Sequence, residues 1–306
     1  MEFNIHHSSI PSLSSFLLTI DVEDWFQVEN LRPWNPLNSW DRRELRIEAS
    51  TRRILDLLDE IKQPASPARA TFFVLGWIAE RLPELVREID CRGHEVASHG
   101  YNHQLCSEQS EEDLVRDLRD SKKLLEDIVG KEVRGYRAPS FSISDRILEL
   151  IREAGYSYDA SYNSFALNRR YGRPDIEAGE KKGIARALGQ DFYELPLTNL
   201  ELAGSFLPFS GGGYFRLLPA LVFKAGVARI LQKQGTFHFY MHPWEVDPDQ
   251  PRQHQAPWLS KFRHYKNLSK TLDKLRDLLQ GLPDCRLITC GQYLQQSLRG
   301  KRGKRN

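Results

Sequence analysis

Residues 95–103 read Glu95-Val96-Ala97-Ser98-His99-Gly100-Tyr101-Asn102-His103. The first three form a short run of strand type, and it opens directly onto two histidines four positions apart. That spacing sets both imidazoles on one side of a helical turn. The stretch therefore predicts two histidines at the C-terminal end of a strand, where α/β barrels keep their active sites. Imidazole pairs at this spacing suit zinc or a similar divalent ion. Two surface histidines are the alternative, and the rest of the chain must decide between them.

Strand-like runs recur on both sides of this one. Residues 16–20, 70–75, 192–196, 236–241 and 286–289 are apolar and rich in aromatic or β-branched side chains. Helical patterns separate them. Residues 44–62 place Ile47, Ile54, Leu55, Leu57, Leu58 and Ile61 at helical spacing, with Pro64 and Pro67 as stops. Residues 83–89 continue to a stop near Gly93. Residues 108–129 give the clearest helix, entered through Ser110 with Asp113 in a capping-box pattern and closed by Gly130. Residues 144–154 and 268–279 are helical as well. Residues 25–41, with three tryptophans and two prolines, read as a long loop; residues 168–190 read as a polar loop, and 135–141 as a strand end with a loop. Alternating strands and helices argue for the α/β class with a parallel sheet. With no internal repeat and no break in composition, residues 16–298 read as a single domain with a barrel-like sheet. A short extension (1–15) precedes it and a basic tail (299–306) follows.

Three further segments carry chemistry. Asp21-Val22-Glu23-Asp24 sets three carboxylates at the end of the first strand. Asp21 and Glu23 share a face if the strand continues; Asp24 comes into range if the chain turns there. Two histidines and one carboxylate leave metal positions open for water and substrate, and a second carboxylate can act as general base. In Arg134-Gly135-Tyr136-Arg137-Ala138-Pro139-Ser140-Phe141, an arginine beside that base would keep it ionised. In Phe237-His238-Phe239-Tyr240-Met241-His242-Pro243-Trp244-Glu245, the residues His238, Tyr240 and His242 share one strand face. His242 stands at the strand end, in position to protonate a leaving amine, while His238 reads as a core histidine.

Together these motifs resemble the polysaccharide deacetylases with the NodB homology domain, carbohydrate esterase family 4. More narrowly, the chain is similar to the deacetylases of exosortase-associated exopolysaccharide loci. Asp-Val-Glu-Asp-Trp-Phe, Ser-His-Gly-Tyr-Asn-His, Arg-Ala-Pro-Ser-Phe-Ser, Ser-Gly-Gly-Gly-Tyr-Phe-Arg (210–216), His-Pro-Trp-Glu (242–245) and Arg263-His264-Tyr265 all carry that resemblance, which covers about residues 16–295. It implies a distorted (β/α) barrel of about seven strands, a C-terminal extension over about 245–298, and removal of N-acetyl groups from a glycan. It also implies Asp21 as base, His99 and His103 as metal ligands, Arg137 as the Arg-x-Pro arginine and His242 as acid. The oxyanion would meet the metal and a backbone N–H just past Pro139. The usual second Asp of the first motif is replaced by Val22, so the carboxylate ligand is Glu23 or Asp24. Asp159, in Tyr158-Asp159-Ala160-Ser161-Tyr162, is the candidate for orienting His242. Zinc is the expected metal, with cobalt, nickel or iron as alternatives. Trp25, Tyr214, Phe215 and Trp244 are either sugar-stacking walls or core.

Composition bounds the partners. The chain is 40% hydrophobic and 27% charged, which excludes collagen-like and disordered classes. Five of its 43 basic residues fall in the last eight positions; the body carries 38 against 41 acidic residues, which argues against a nucleic-acid binder. The tail would be solvated or make weak contact with a membrane surface. No apolar run approaches the roughly 18 residues of a membrane span, and no leader pattern is seen, so a cytoplasmic location is expected. Four cysteines at 91, 106, 285 and 290 are expected to be reduced thiols. The expected partner is an N-acetylated polysaccharide or a lipid-linked oligosaccharide. The rival expectations are a small-molecule metal amidohydrolase and a non-catalytic glycan-binding protein.

Overall fold

The computed structural model describes residues 14–63, 66–165, 170–202, 204–282 and 284–299. The extension 1–13, Pro64 and the tail cations from Lys301 onward lie outside the described residues. The strands are β1 (Ser14–Val22), β2 (Thr71–Val74), β3 (Glu95–Ser98), β4 (Gly135–Tyr136), β5 (Tyr158–Asp159), β6 (Glu180–Lys182), β7 (Ala185–Gly189), β8 (Phe192–Glu194), β9 (Leu200–Leu202), β10 (Ser205–Leu207), β11 (Thr236–Met241) and β12 (Cys285–Leu287). The helices are α1 (Ile47–Glu60), α2 (Gly76–Arg81), α3 (Pro83–Cys91), α4 (Glu111–Val129), α5 (Asp145–Glu153), α6 (Gly212–Leu217), α7 (Ala220–Gln234), α8 (Trp258–Tyr265), α9 (Leu268–Gln280) and α10 (Cys290–Arg299).

Seven strands run parallel in the order β11-β1-β2-β3-β4-β5-β8, and β7 and β6 continue that edge antiparallel. β12 pairs with the start of β1, and β2 with its end. The sheet curls until the segment after β8 reaches β11, where the His238 N–H donates to Thr198 Oγ1 at 2.7 Å. This bond and a long backbone one, Thr198 N to His238 O at 3.5 Å, stand where a strand ladder would close a full barrel. The α/β class and the seven-stranded distorted barrel are as expected.

Alternation along β1 sorts its side chains. Phe16, Leu18, Ile20 and Val22 pack outward against the helices. Leu17 packs inward with Phe73, Ala97, Tyr158 and Leu195. Complete burial of such side chains contributes about 1.5–3 kcal/mol each. At the N-terminal ends of the strands, Cys290, Tyr293 and Leu294 of α10 fill the interior. There the Cys290 N–H donates to Thr71 Oγ1 and the Gly291 N–H to Glu95 Oε2, both at 2.9 Å. The interior is packed below, and polar side chains collect at its other end.

Ser110 caps α4 by accepting from Asp113 N at 3.1 Å, and Gly130 takes φ 68° at the other end. Two expected loops contain regular elements. Residues 25–41 contain 3₁₀ turns at Glu29–Trp34 and Leu37–Arg42. Residues 168–190 contain β6 and β7, whose largely polar sequence at a sheet edge lacks the alternation of a half-buried strand. Trp25 and Phe215 are core. All four cysteines are free thiols, Cys91 exposed and the others buried.

Candidate active site

Register sets the key residues at one level. Asp21 pairs with Phe73, Val74 with Ser98, Ser98 with Tyr136, and Ile20 with Met241. His99, Arg137 and His242 each follow the last residue of a strand, so the ring of strand ends delivers them beside Asp21. The bonds that continue the ladder confirm the level: His99 N to Val74 O at 3.0 Å and Arg137 N to Ser98 O at 2.9 Å.

Asp21 is buried and faces inward, in line with Leu17 and Thr19. Its Oδ1 accepts from Arg137 Nη1 at 2.7 Å. Burial would raise its pKa, but Arg137, His99 and His242 together lower it, so it is a carboxylate. Arg137 is fully buried. It also donates to Thr19 Oγ1 at 2.8 Å, to Ala160 O at 2.9 Å and to His238 Nε2 at 3.0 Å. Its guanidinium lies 4.2 Å above the Phe73 ring. His238 is the buried histidine that the strand pattern indicated; accepting from Arg137 at Nε2 and contacting Pro196 O at 3.1 Å through Nδ1, it is held neutral. Thus three further acceptors hold the cation that holds Asp21.

Strand alternation continues to Glu23, which also faces inward. Glu23, His99 and His103 bring one potential ligand atom each to within 4.8 Å of one another. Glu23 Oε2 lies 3.4 Å from His103 Nε2 and, among the described residues, has no hydrogen-bond partner although it is buried. His99 Nδ1 contacts Arg137 O at 2.8 Å, so Nδ1 carries the proton and Nε2 offers a lone pair. Burial pushes both His99 and His103 down to about 4, the neutral form that a metal requires. The orphaned carboxylate oxygen and two neutral imidazoles fit a divalent cation. The pair does not sit on a helical turn, however. Gly100 (φ 75°) and His103 (φ 51°) both take left-handed backbone, and this bent loop brings the rings to 5.3 Å. A Cβ on Gly100 would also meet Asp117 Oδ1 at 2.8 Å.

Asp24 turns away from this cluster. Its Oδ2 accepts from Arg46 N at 2.7 Å and Ile47 N at 2.9 Å, and its Oδ1 accepts from Trp25 N at 2.8 Å. It caps α1 from across the loop, and burial raises it to about 6. Asp159 is likewise away from His242. Tyr158 and Ala160 point inward, so Asp159 points to the opposite face. There it accepts from Ser161 N at 3.0 Å and Ser161 Oγ at 2.8 Å and shares a hydrogen bond with Glu194. Burial and the charge of Asp159 push Glu194 well above the carboxylate range, so it keeps its proton.

His242 meets Glu245 instead. Its Nδ1 lies 2.9 Å from Glu245 Oε1, and its Nε2 lies 2.9 Å from Glu23 Oε1 and 4.0 Å from Asp21 Oδ2. Burial would lower its pKa, but Glu23 and Glu245 raise it to about 10. Glu245 in turn is held at about 2, burial being outweighed by Arg216 and His242. Sequence reasoning quoted Glu245 and Arg216 within motifs without assigning either a part. The signal was present: a carboxylate three positions past a strand-end histidine, across a proline turn, faces back onto the ring.

These groups line a cleft of ≈ 640 Å³. Tyr214 and Trp244 line it too, the former exposed and the latter stacked on His242 at 5.2 Å. Ser140 is in its wall, and Ser140 and Phe141 both take positive φ, at 51° and 59°. Consecutive left-handed non-glycine residues cost about 1–2 kcal/mol each.

Residues 39–158 match the family model "Polysaccharide deacetylase", and residues 160–295 match "Domain of unknown function (DUF3473)". A peptidoglycan-N-acetylglucosamine deacetylase of Bacillus cereus is 40% identical over 106 residues, 35% of this chain and 47% of that protein. A chitooligosaccharide deacetylase of Sinorhizobium fredii is 33% identical over 129 residues, 42% of this chain and 56% of that protein. The chain thus spans about half the length of these relatives. Among solved structures, one described as a putative polysaccharide deacetylase from Mycobacterium smegmatis aligns with a TM-score of 0.61 at 20% identity, covering 96% of this chain and 93% of the other. With strand-end motifs, curled sheet and matched region in agreement, residues 39–158 are similar to the polysaccharide deacetylase family, and the chain shares the fold of the Mycobacterium smegmatis protein.

Proposed function

We propose that this chain hydrolyses N-acetyl groups of an N-acetylated polysaccharide, with zinc as the first-choice metal and cobalt, nickel or iron as alternatives. The observation that carries the proposal is the meeting of three units in one cleft: an arginine-held carboxylate, a carboxylate–imidazole–imidazole cluster and a carboxylate-held histidine. A divalent cation on Glu23, His99 and His103 would supply a Lewis acid. Asp21, kept ionised by Arg137, takes the proton of the attacking water. His242 gives a proton to the departing amine. The strained backbone at Ser140 turns the wall of the cleft, and the Ser140 N–H is the donor we assign to the oxyanion. Tyr214 offers aromatic surface to sugar rings, whereas Trp244, buried between His242 and His264, does not. A nascent exopolysaccharide or a lipid-linked oligosaccharide, in the cytoplasm, is the substrate and place we favour, on the resemblance to exosortase-associated deacetylases. All of residues 16–298 would serve as one catalytic unit.

The test is acetate release from N-acetylglucosamine oligomers by zinc-loaded protein, repeated after chelation and with Asp21→Asn and His99→Ala. The expected result is metal-dependent release that falls at least about 100-fold in Asp21→Asn and is lost with the metal in His99→Ala. Release that survives chelation, or that Asp21→Asn leaves intact, overturns the assignment.

A further inference from the structure

His242 and the groups that grip its ring on the Nδ1 side all come from residues 160–295, the stretch that matches a region of unknown function. Glu245 is almost fully buried. Its Oε1 accepts from the His242 backbone N–H at 3.1 Å and contacts Nδ1 at 2.9 Å. Its Oε2 accepts from Arg216 Nε at 2.6 Å. Arg216 is equally buried and is spent on the chain around α8: Nη1 donates to His264 O at 2.9 Å and Lys266 O at 2.8 Å, and Nη2 to Arg263 O at 2.9 Å. Asn267 Nδ2 closes the loop on Arg216 O at 2.7 Å. The face of the imidazole is fixed too. Trp244 stacks on it at 5.2 Å with the planes 20° apart, and His264 backs Trp244 at 4.2 Å and 14°. Nor is there slack behind Glu245: a Cβ on Gly212 would lie 2.2 Å from Oε1. The motifs at 210–216, 242–245 and 263–265, far apart in sequence, are therefore one object.

We propose that Glu245, held by Arg216, is the positioning residue for His242, and that building this acid is what residues 160–295 contribute to the reaction. The proposal rests on the deacetylase function given above. As the C–N bond breaks, its electron pair goes to nitrogen and the proton on His242 Nε2 follows. The imidazole left behind keeps its Nδ1–H on Glu245 Oε1. Without Glu245 the ring keeps only the contact of Nε2 with Glu23 Oε1 at 2.9 Å and can turn about χ2 to present the wrong nitrogen, while Asp21, His99 and His103, which Glu245 does not touch, stay in place.

The experiment compares two substrates whose need for an acid differs. N-acetylglucosamine oligomers must have their leaving amine protonated; 4-nitrophenyl acetate leaves as a stable phenolate and need not. In Glu245→Gln, kcat on the oligomers should fall about 100-fold or more, with KM, bound zinc and ester hydrolysis within roughly threefold of wild type. Gly212→Ala, which displaces Glu245 without altering any charge, should shift the same ratio. Asp159→Asn should leave the ratio where it was. Equal losses on both substrates, or no loss on the oligomers, overturn the proposal. If the wild-type protein hydrolyses neither substrate, the deacetylase function fails, and nitrogen-15 spectra of the histidines then decide the positioning role. The Nδ1–H resonance of His242, identified by its loss in His242→Gln, should move in Glu245→Gln; an unchanged resonance overturns it.

Discussion

Asp21 and Asp24 show how little separates the carboxylate we propose as base from a cap. Both are buried acids at the end of β1, yet one meets Arg137 and the other meets three backbone N–H groups. The sequence left Glu23 and Asp24 open as ligands because it does not say where a strand stops. The strand runs on to Val22, and alternation then turns Glu23 inward with Asp21. The same rule, applied to Tyr158-Asp159-Ala160, would have turned Asp159 away from the site. Expected consequences divide the two acids cleanly. Glu23→Gln should weaken zinc binding at least about 10-fold, measured against a competing chelator, with little change in stability. Asp24→Ala should keep its zinc and lose about 2 kcal/mol of stability by denaturant titration, because Arg46 N and Ile47 N lose their acceptor.

Among the elements, those with a clean period were legible. The 236–241 strand has the bounds expected of it, and α1, α4, α5 and α9 lie within a few residues of their patterns. Of those missed, α10 does carry a helical period in Cys290, Tyr293 and Leu294, but α7, α2 and α6 lacked one. In α7 Phe223, Val227 and Ile230 are buried while Leu221 and Val222 are exposed, so apolar residues mark both faces. Helices α2 and α6 are six residues each, too short for a repeat to register. The histidine loop was misjudged for a different reason: i, i+4 spacing suggests a helix, but Gly100 admits a left-handed step that folds the loop more tightly. Gly100→Ala should therefore be costly in two ways. The strained φ and the contact with Asp117 should lower stability by about 2 kcal/mol, and calorimetry should find weaker zinc binding as His103 shifts.

For the molecule as a whole, buried groups of opposite kind give stability two pH limits. His94 is buried, accepts from Ala70 N at 3.2 Å through Nδ1, and is lowered from 6.5 to about 4, burial being the main cause. The unfolded chain binds the extra proton first, so stability is lost as pH falls from about 6.5 towards 4, by roughly 2–3 kcal/mol from this residue. Glu194 behaves in the opposite sense. Its folded form keeps a proton that the unfolded chain releases near 4.5, so stability is lost as pH rises through the folded pKa. Melting temperature against pH should therefore be a dome. His94→Gln should flatten its acid side, and Glu194→Gln, which replaces a protonated carboxyl with a neutral amide, its alkaline side. A dome unchanged by either variant would deny these two residues their part in it.

The central strand has a further consequence, for the chain as it is being made. Thr19 of β1 bonds to Phe239 O of β11, 220 positions later. At a synthesis rate of about 5–20 residues per second, β11 leaves the ribosome about 10–45 s after β1. Until then the apolar edge of Ser14–Val22 that β11 will cover stays open, as a template for any passing strand. Asp21 and Arg137 can meet during translation, but His242 cannot join them until most of the chain has emerged. A nascent or prematurely ended chain would therefore lack the histidine we propose as acid and be prone to aggregate, and slowed translation between β2 and β11 would lengthen the interval in which it needs a chaperone.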